Sequence, residues 1–152
     1  TRCSRDWSSD VCSSDLMHAL DTAGNAPEPW AADYARWEMR CLAEFGFGLD
    51  LESCAVTGET EDLAFVSPRT GRAVSTAAGR PYADRLFPLP RFLAGGEAAP
   101  ADAPAIAEGL RLTGHFLERH VLSPHERRMP AARTRFIDRW RRFSTISGKV
   151  SK

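Results

Sequence analysis

WAADYARWEMRCLAEFGFGLDLESCAVTGETEDLAFVSPRTGRAV, at residues 30–74, is the stretch of sequence that decides the fold. Its first part predicts an amphipathic helix over residues 30–45, because apolar side chains recur there at helical spacing within about 140° of one another. These side chains are Tyr34, Trp37, Cys41, Leu42 and Phe45. Gly46 and Gly48 predict the end of this helix, since glycine readily adopts the left-handed backbone of a helix C-terminus.

An acidic side chain lies in the middle of this apolar stripe. Glu38 falls among the apolar residues, whereas Arg36 and Arg40 fall on the opposite side of the helix. A buried carboxylate needs a partner. We therefore expect Glu38 to pair with Arg69 or Arg72 of the SPRTGR segment and so to fasten that loop onto the helix.

The segment Cys54-Ala-Val-Thr57-Gly58 has the form of half a metal knuckle. A structural zinc site needs four ligands, commonly supplied by two Cys-x-x-Cys pairs. Here the second position holds Thr57, and Val74 and Ala77 stand where a second pair is expected. One thiolate cannot hold structural zinc, so we predict no metal and no cofactor. Hydrogen bonds and packing are expected to hold the loop instead.

The rest of the chain predicts a mainly α-helical domain over residues 17–143. Further helices are expected at 104–122 and 130–143, both with apolar residues at helical spacing. Between the first and second helices, an insertion at about 49–80 contains a short strand at Ala64-Phe65-Val66, and a Gly/Pro-rich linker follows at about 94–103. Residues 144–152 are expected to be a frayed tail.

The first sixteen residues, TRCSRDWSSDVCSSDL, differ from everything after them. They show neither helical nor strand periodicity, and they resemble the translation of a common sequencing-library adapter. We expect an artefactual segment, or else a disordered terminus. Cys3 and Cys12 are therefore left out of any candidate metal site or disulfide.

Charge is unevenly distributed, although the formal net charge is zero. Residues 17–110 carry 7 basic and 14 acidic residues, whereas residues 111–152 carry 11 basic and 3 acidic residues. This basic end predicts an anionic partner, or else a solvated helix beside its acidic neighbour. No apolar run is long enough to predict a membrane span. The few scattered cysteines favour the reducing cytoplasm.

The most basic segment is the helix expected at 130–143. Its arginines could neutralise several phosphates, which predicts salt-dependent and sequence-tolerant DNA contact. The candidates for DNA contact are Arg133, Arg135, Arg139 and Arg142, with Arg141 beside them. Trp140 and Phe143 could stack on bases, but their spacing fits a core-facing stripe at least as well.

Catalysis has weaker support in the sequence. Cys54 or Cys41 could pair with His115, His120 or His125, yet no local signature marks such a pair. Neither a phosphate-binding loop nor a dinucleotide fingerprint is present. We therefore predict a protein that is not an enzyme, and catalysis by Cys54 ranks below two binding functions.

Five segments, taken in order, resemble one protein family. YARWEMRCLAEFGFGLDL, CAVTG, FVSPRTGRAVS, RLFPLPRFL and LRLTGHFLERHVL are together similar to the bacterial recombination mediator family RecO, over about residues 17–135. The resemblance implies a helical C-terminal domain with a β-containing, zinc-less, knuckle-like insertion. It also implies that the family's N-terminal OB-fold domain is missing from this sequence. Cys54 matches the first ligand position of the zinc knuckle that some members carry, and Thr57 departs from the second.

The resemblance also implies a function. RecO proteins bind DNA, anneal strands and help to load RecA. Their partners are RecR and the acidic tail of the single-stranded DNA-binding protein. The resemblance therefore implies a protein of the cytoplasm that associates with the nucleoid. The alternative is a helical protein-interaction module without direct DNA binding. An acidic tail with an apolar end requires arginines beside an apolar groove. The candidates for tail binding are Arg36, Arg40, Arg111 and Arg119.

Overall fold

The computed structural model describes residues 28–94 and 101–147. That part of the chain is mainly α-helical with one small sheet, as predicted. The elements are α1 (Glu28–Glu44), β1 (Leu63–Val66), β2 (Ala73–Ser75), α2 (Thr76–Gly79), β3 (Phe87–Pro88), α3 (Arg91–Ala94), α4 (Ala103–Phe116) and α5 (Ala131–Ser147). A 3-10 segment (Arg80–Arg85) precedes β3, and α4 continues through a π-helical segment (Leu117–Leu122) into a 3-10 turn (Ser123–His125).

The predicted elements and the observed ones differ mainly at their ends. The strand expected at 64–66 is confirmed, and it lies in the three-stranded sheet of the insertion. The tail predicted from residue 144 is wrong in its first part, because helical hydrogen bonding continues to Ser147. The segment at 1–16, residues 95–100 of the expected linker and residues 148–152 lie outside the described residues.

The two long helices α1 and α4 pack against each other and form the first half of the core. One face of α1 is buried and carries Ala31, Ala35, Glu38 and Leu42. The small side chains of the two alanines allow α4 to approach α1 closely. Large side chains from three other helices fill the space around the alanines. This first cluster consists of Ala31, Ala32, Ala35, Phe92, Ile106, Leu110 and Trp140.

The sheet covers the second half of the core. Its strand order is β2-β1-β3, with both pairs antiparallel. The central residue Val66 pairs with Ala73 on one side and Phe87 on the other, and its side chain is fully buried. The second cluster consists of Leu42, Val66, Ala73, Leu89, Leu112 and Phe116. The insertion is thus a sheet packed on α1 and α4.

The end of α1 corrects one expectation. Phe45 was predicted to face the core, but it is 53% exposed. The helix ends at Glu44, and Gly46 adopts a φ of +84°, so the chain turns away before position 45 can reach the core. The amide of Phe47 closes the turn by donating to the Leu42 carbonyl at 2.8 Å.

The start of α4 is capped by a side chain. Asp102 is extended and accepts a hydrogen bond from the amide of Ala105 at 2.9 Å, which satisfies one of the free amides of the first turn. Within the described residues, no helix is both long and apolar enough to cross a membrane.

We predict that Gly109→Ala destabilises the fold, although alanine usually stabilises a helix interior by about 1 kcal/mol relative to glycine. A Cβ at position 109 would lie 2.7 Å from Cζ of Phe92, so the buried ring must move. We expect a loss of roughly 1–3 kcal/mol in the free energy of unfolding, measured by urea denaturation. Gly48→Ala, where the nearest atoms lie 3.4 Å away, is the control. Equal stability of the two variants would contradict this packing.

Candidate partner-docking and nucleic-acid interface

A buried ion pair lies at the junction of the two core clusters. Glu38, on α1, is 1% exposed. Arg133, on α5, donates from Nε to Oε1 of Glu38 at 2.6 Å and from Nη2 to Oε2 at 2.8 Å. This bidentate geometry is the strong and directional form of an arginine–carboxylate contact. It joins two helices whose paired residues are 95 positions apart in sequence.

Three further groups complete the environment of the ion pair. The hydroxyl of Thr113 donates to Oε2 of Glu38 at 2.5 Å, and Nη2 of Arg133 also donates to the Leu110 carbonyl at 2.7 Å. Burial, followed by the charge of Glu38 and a hydrogen bond to it, raises the pKa of the Tyr34 hydroxyl. Burial alone would lower the pKa of Arg133, but its hydrogen bond to Glu38 and the charge of Glu38 outweigh burial and raise it.

The expected pairing of Glu38 with Arg69 or Arg72 is therefore wrong. Arg72 pairs with Asp50 instead, with Nε 3.0 Å from Oδ2, because a β-bridge sets these two residues side by side. Arg69 is exposed. The carboxylate of Glu38 points towards α4 and α5, away from the SPRTGR loop.

The same geometry corrects the expectation for Arg133. Its side chain is only 12% exposed, and its guanidinium donates to Glu38 and to the Leu110 carbonyl. It is therefore not placed to contact DNA. Gly114 makes room for this guanidinium, since a Cβ at that position would lie 2.9 Å from Nη2. A helical glycine here thus permits the buried arginine.

Three basic side chains form a row along α4 and its extension, and we call Arg111, His115 and Arg119 the α4 row. Shared contacts establish the alignment. The guanidinium of Arg111 and the ring of His115 both lie against Phe87, at 5.3 and 5.0 Å from its ring centre. His115 Nε2 and Arg119 Nη1 lie 3.2 and 3.3 Å from the Pro68 carbonyl oxygen. Arg111 and Arg119 are exposed.

A stack of rings is built around His120, the residue after Arg119. The imidazole of His120 lies between two phenyl rings, 5.0 Å from Phe47 and 5.9 Å from Phe116, measured between ring centres. Phe116 belongs to the core, whereas Phe47 is 42% exposed. His120 itself is half-buried. Sequence reasoning missed the exposed Phe47 ring at the extension of α4, because the ring comes from the turn after α1.

The structure places the two candidate arginines of α1 differently. Arg40 is exposed. The side chain of Arg36 is only 19% exposed, its Nη1 lies 2.8 Å from Oδ1 of Asp33, and its guanidinium lies over the ring of Phe92. The expectation of an open polar face at Arg36 is therefore wrong, because α3 packs Phe92 against that side of α1.

The basic helix α5 has one buried face and one exposed face. Arg135, Arg139 and Arg142 are exposed, as are Arg141 and Asp138 beside them. Trp140 is 2% exposed and belongs to the first core cluster, so it cannot stack on a base. The side chain of Phe143 lies outside the described residues.

Comparisons with known proteins point to one family. Residues 14–129 match the family described as Recombination protein O C terminal. A protein from Rhodospirillum rubrum, named DNA repair protein RecO, is 53% identical over 130 residues, or 85% of this chain and 52% of that protein. Proteins of the same name from Rhodospirillum centenum and Caulobacter vibrioides are 56% and 50% identical, over 88% and 81% of this chain and 51% and 50% of their own.

The chain belongs to the RecO family. It spans about half the length of the curated RecO relatives that it matches. No solved structure matches it significantly.

The knuckle-like loop of this RecO-family chain is closed by a sulfur atom. Cys54 is 1% exposed; its Sγ accepts a hydrogen bond from the Ser75 amide at 3.3 Å and lies 3.5 Å from the Ser75 hydroxyl. Burial by itself raises the pKa of this thiol, but hydrogen bonds from Thr57 and Ser75 outweigh burial and lower it to about 6. Between 28–94 and 101–147, no group of three His, Cys, Asp or Glu side chains is placed to hold a metal. The described residues around this loop therefore do not fit a structural zinc site with four ligands.

We predict that Arg133→Met lowers the free energy of unfolding by about 3–5 kcal/mol, because it leaves the carboxylate of Glu38 buried without its cation. Arg135→Met, two positions away on the exposed face, is the matched control and should change stability by less than about 0.5 kcal/mol. Urea unfolding followed by circular dichroism measures both.

The double variant Glu38→Met with Arg133→Met should recover most of that loss, because replacing both partners by apolar groups removes the uncompensated charge. Thr113 keeps acceptors in this variant, since its hydroxyl also lies 3.1 Å from the Gly109 carbonyl. If the double variant lost as much stability as Glu38→Met and Arg133→Met lose together, a direct ion pair would be contradicted.

We predict that the stability difference between wild type and Cys54→Ser widens as the pH rises from about 6 towards 9. The folded thiol deprotonates at about 6 and the ordinary thiol at 9.0, so the unfolded chain binds more protons between these values and stability rises with pH. Serine does not titrate in this range. Melting temperatures measured across the range test this, with Cys41→Ser as the control. A pH-independent difference would mean that Cys54 stays a thiol in the folded protein.

Proposed function

We propose that this chain supplies the helical part of a DNA repair and recombination mediator that acts by binding rather than by catalysis. In this proposal it docks the acidic tail of the single-stranded DNA-binding protein, contributes to contact with RecR, and assists strand annealing and RecA loading at the nucleoid. Membership of the RecO family supports the repair role. The α4 row is the observation that carries the docking role.

The α4 row has the chemistry that an acidic peptide requires. Two exposed guanidinium groups, of Arg111 and Arg119, lie on either side of His115 along one helix face. Each can give charge-assisted hydrogen bonds to a carboxylate, which are stronger than neutral ones. The carbonyl of Pro68 accepts from Nη1 of Arg119, and the guanidinium of Arg111 lies over the ring of Phe87; both contacts reduce the conformational entropy cost of binding a peptide.

Exposed rings that could take the apolar end of the tail lie at the extension of α4 and at the end of α1. The exposed Phe47 ring stacks on His120, the residue next to Arg119. Phe45, 53% exposed, follows directly after α1. An acidic peptide with an apolar terminal residue can therefore place its carboxylates against the arginines and its last side chain against these rings.

Contact with DNA is assigned to the exposed face of α5. Arg135, Arg139 and Arg142 can neutralise phosphates without base readout, which gives binding that weakens steeply with salt. Because this face belongs to another helix than the α4 row, tail docking and DNA contact are separable by substitution.

The experiment titrates two labelled ligands by fluorescence anisotropy: an acidic peptide ending in an apolar residue, and a single-stranded oligonucleotide. We expect Arg111→Ala with Arg119→Ala to weaken peptide binding about tenfold or more and to leave oligonucleotide binding nearly unchanged. Arg139→Ala with Arg142→Ala should do the reverse. Arg80→Ala with Arg85→Ala, exposed on the 3-10 segment, is the control for general charge loss.

The outcomes separate the two binding functions. Peptide binding without oligonucleotide binding would favour a helical protein-interaction module with no direct DNA contact. Peptide binding that falls equally in the control would contradict the α4 row as the docking site. Binding of neither ligand would overturn the proposal.

A further inference from the structure

The buried residues and the exposed arginines of α5 occupy opposed faces of the helix. At about 100° per residue, the residues that pack inward lie within roughly 100° of one another. These residues are Arg133, Phe136, Ile137 and Trp140. Arg135, Arg139 and Arg142 lie within roughly 60° of one another, on a face centred about 140° away. The rotation of α5 about its own axis therefore decides whether these arginines face solvent together.

Apolar contacts alone set this rotation loosely. Phe136 lies against Trp30 and Tyr34, with ring centres 4.7 and 4.4 Å apart, and Trp140 fills the space beside the alanines of α1. Such contacts are not directional. Among the described residues the indole N–H of Trp140 has no hydrogen-bond acceptor, so it adds no directional bond.

The bidentate contact between Glu38 and Arg133 is directional. Two parallel bonds of 2.6 and 2.8 Å form only when the guanidinium is nearly coplanar with the carboxylate, and a third bond ties Arg133 to the Leu110 carbonyl. The acceptors are the carboxylate of Glu38 on α1 and the carbonyl of Leu110 on α4, and because these two helices pack on each other, the acceptors keep a fixed relative position. A rotation of α5 by one residue would break the hydrogen bonds of Arg133 to both.

We propose that Glu38 and Arg133 are positioning residues, which set the rotation of α5 and thereby present Arg135, Arg139 and Arg142 as one phosphate-binding face. Neither residue touches DNA. This inference rests on the proposed DNA contact of α5 and names how that contact is controlled: a carboxylate buried in the core governs the affinity of an exposed cationic surface.

The test uses a substitution for which simple electrostatics and the positioning role predict opposite changes in DNA affinity. Glu38→Gln removes a negative charge, which by itself should leave binding of an anionic polymer equal or tighter. The inference predicts weaker binding of a single-stranded oligonucleotide, by about threefold or more, and a salt dependence whose slope falls by about 0.7 for each phosphate that is no longer neutralised. Glu44→Gln, exposed at the end of the same helix, makes the same charge change and should bind as well as wild type or more tightly.

Three further measurements separate positioning from loss of fold and from failure of the proposed function. Unfolding curves confirm that each variant is folded at the temperature of the titration. The double variant Glu38→Met with Arg133→Met lets α5 dock through apolar contacts, so it should bind the oligonucleotide more tightly than Glu38→Gln does. It could not do so if Arg133 itself contacted phosphate. Thiol labelling of Ile137→Cys, followed peptide by peptide, reports without DNA how far the inward face of α5 is exposed. The labelling rate should rise when Glu38→Gln is added, because α5 is then no longer held in one rotation.

Each result supports or overturns a distinct statement. Folded Glu38→Gln protein that binds the oligonucleotide as tightly as Glu44→Gln overturns the positioning role, and so does an unchanged labelling rate. An oligonucleotide affinity that is insensitive to Arg139→Ala with Arg142→Ala overturns the proposed DNA contact instead. A rise in labelling together with a weaker affinity supports both.

Discussion

The ion pair between Glu38 and Arg133 is the interaction on which the arrangement of the three long helices depends. Its carboxylate lies where the helical and the sheet-covered halves of the core meet, in the middle of the contact between α1 and α4. A charge at that depth is tolerable only with its cation in place. Since that cation comes from α5, the core formed by α1 and α4 is electrostatically complete only when α5 is docked.

The family and the fold class could be predicted from the sequence, because helical periodicity and an ordered set of motifs are local signals. The need of Glu38 for a partner was also local, since it follows from one acidic residue in an apolar stripe. The identity of the partner was not. All three candidates are arginines, so the residue type does not distinguish Arg69, Arg72 and Arg133. Only the tertiary fold, which brings residue 133 to residue 38, determines the partner.

Other errors have the same origin. The exposure of Phe45 depends on where α1 ends, and the half-burial of Arg36 depends on Phe92 from α3. Neither can be read from the periodicity of α1 alone. The stack of His120 and Phe47 joins residues from separate segments, through a π-helical stretch that no simple pattern indicates. In contrast, the number of ligands at the knuckle-like loop could be read from the sequence, because counting ligands needs no geometry; the contacts between Cys54 and Ser75 that close the loop could not.

Amide hydrogen exchange of α5 relative to α4 tests the central claim most directly. If the buried ion pair docks α5 on the core, the amides of residues 135–140 exchange through the same global opening as those of Leu110 and Leu112, and their protection falls selectively in Glu38→Gln. If α5 amides in the wild-type chain exchange like those of an isolated peptide while α4 stays protected, α5 is not part of the cooperative core. The ion pair would then not hold the structure together.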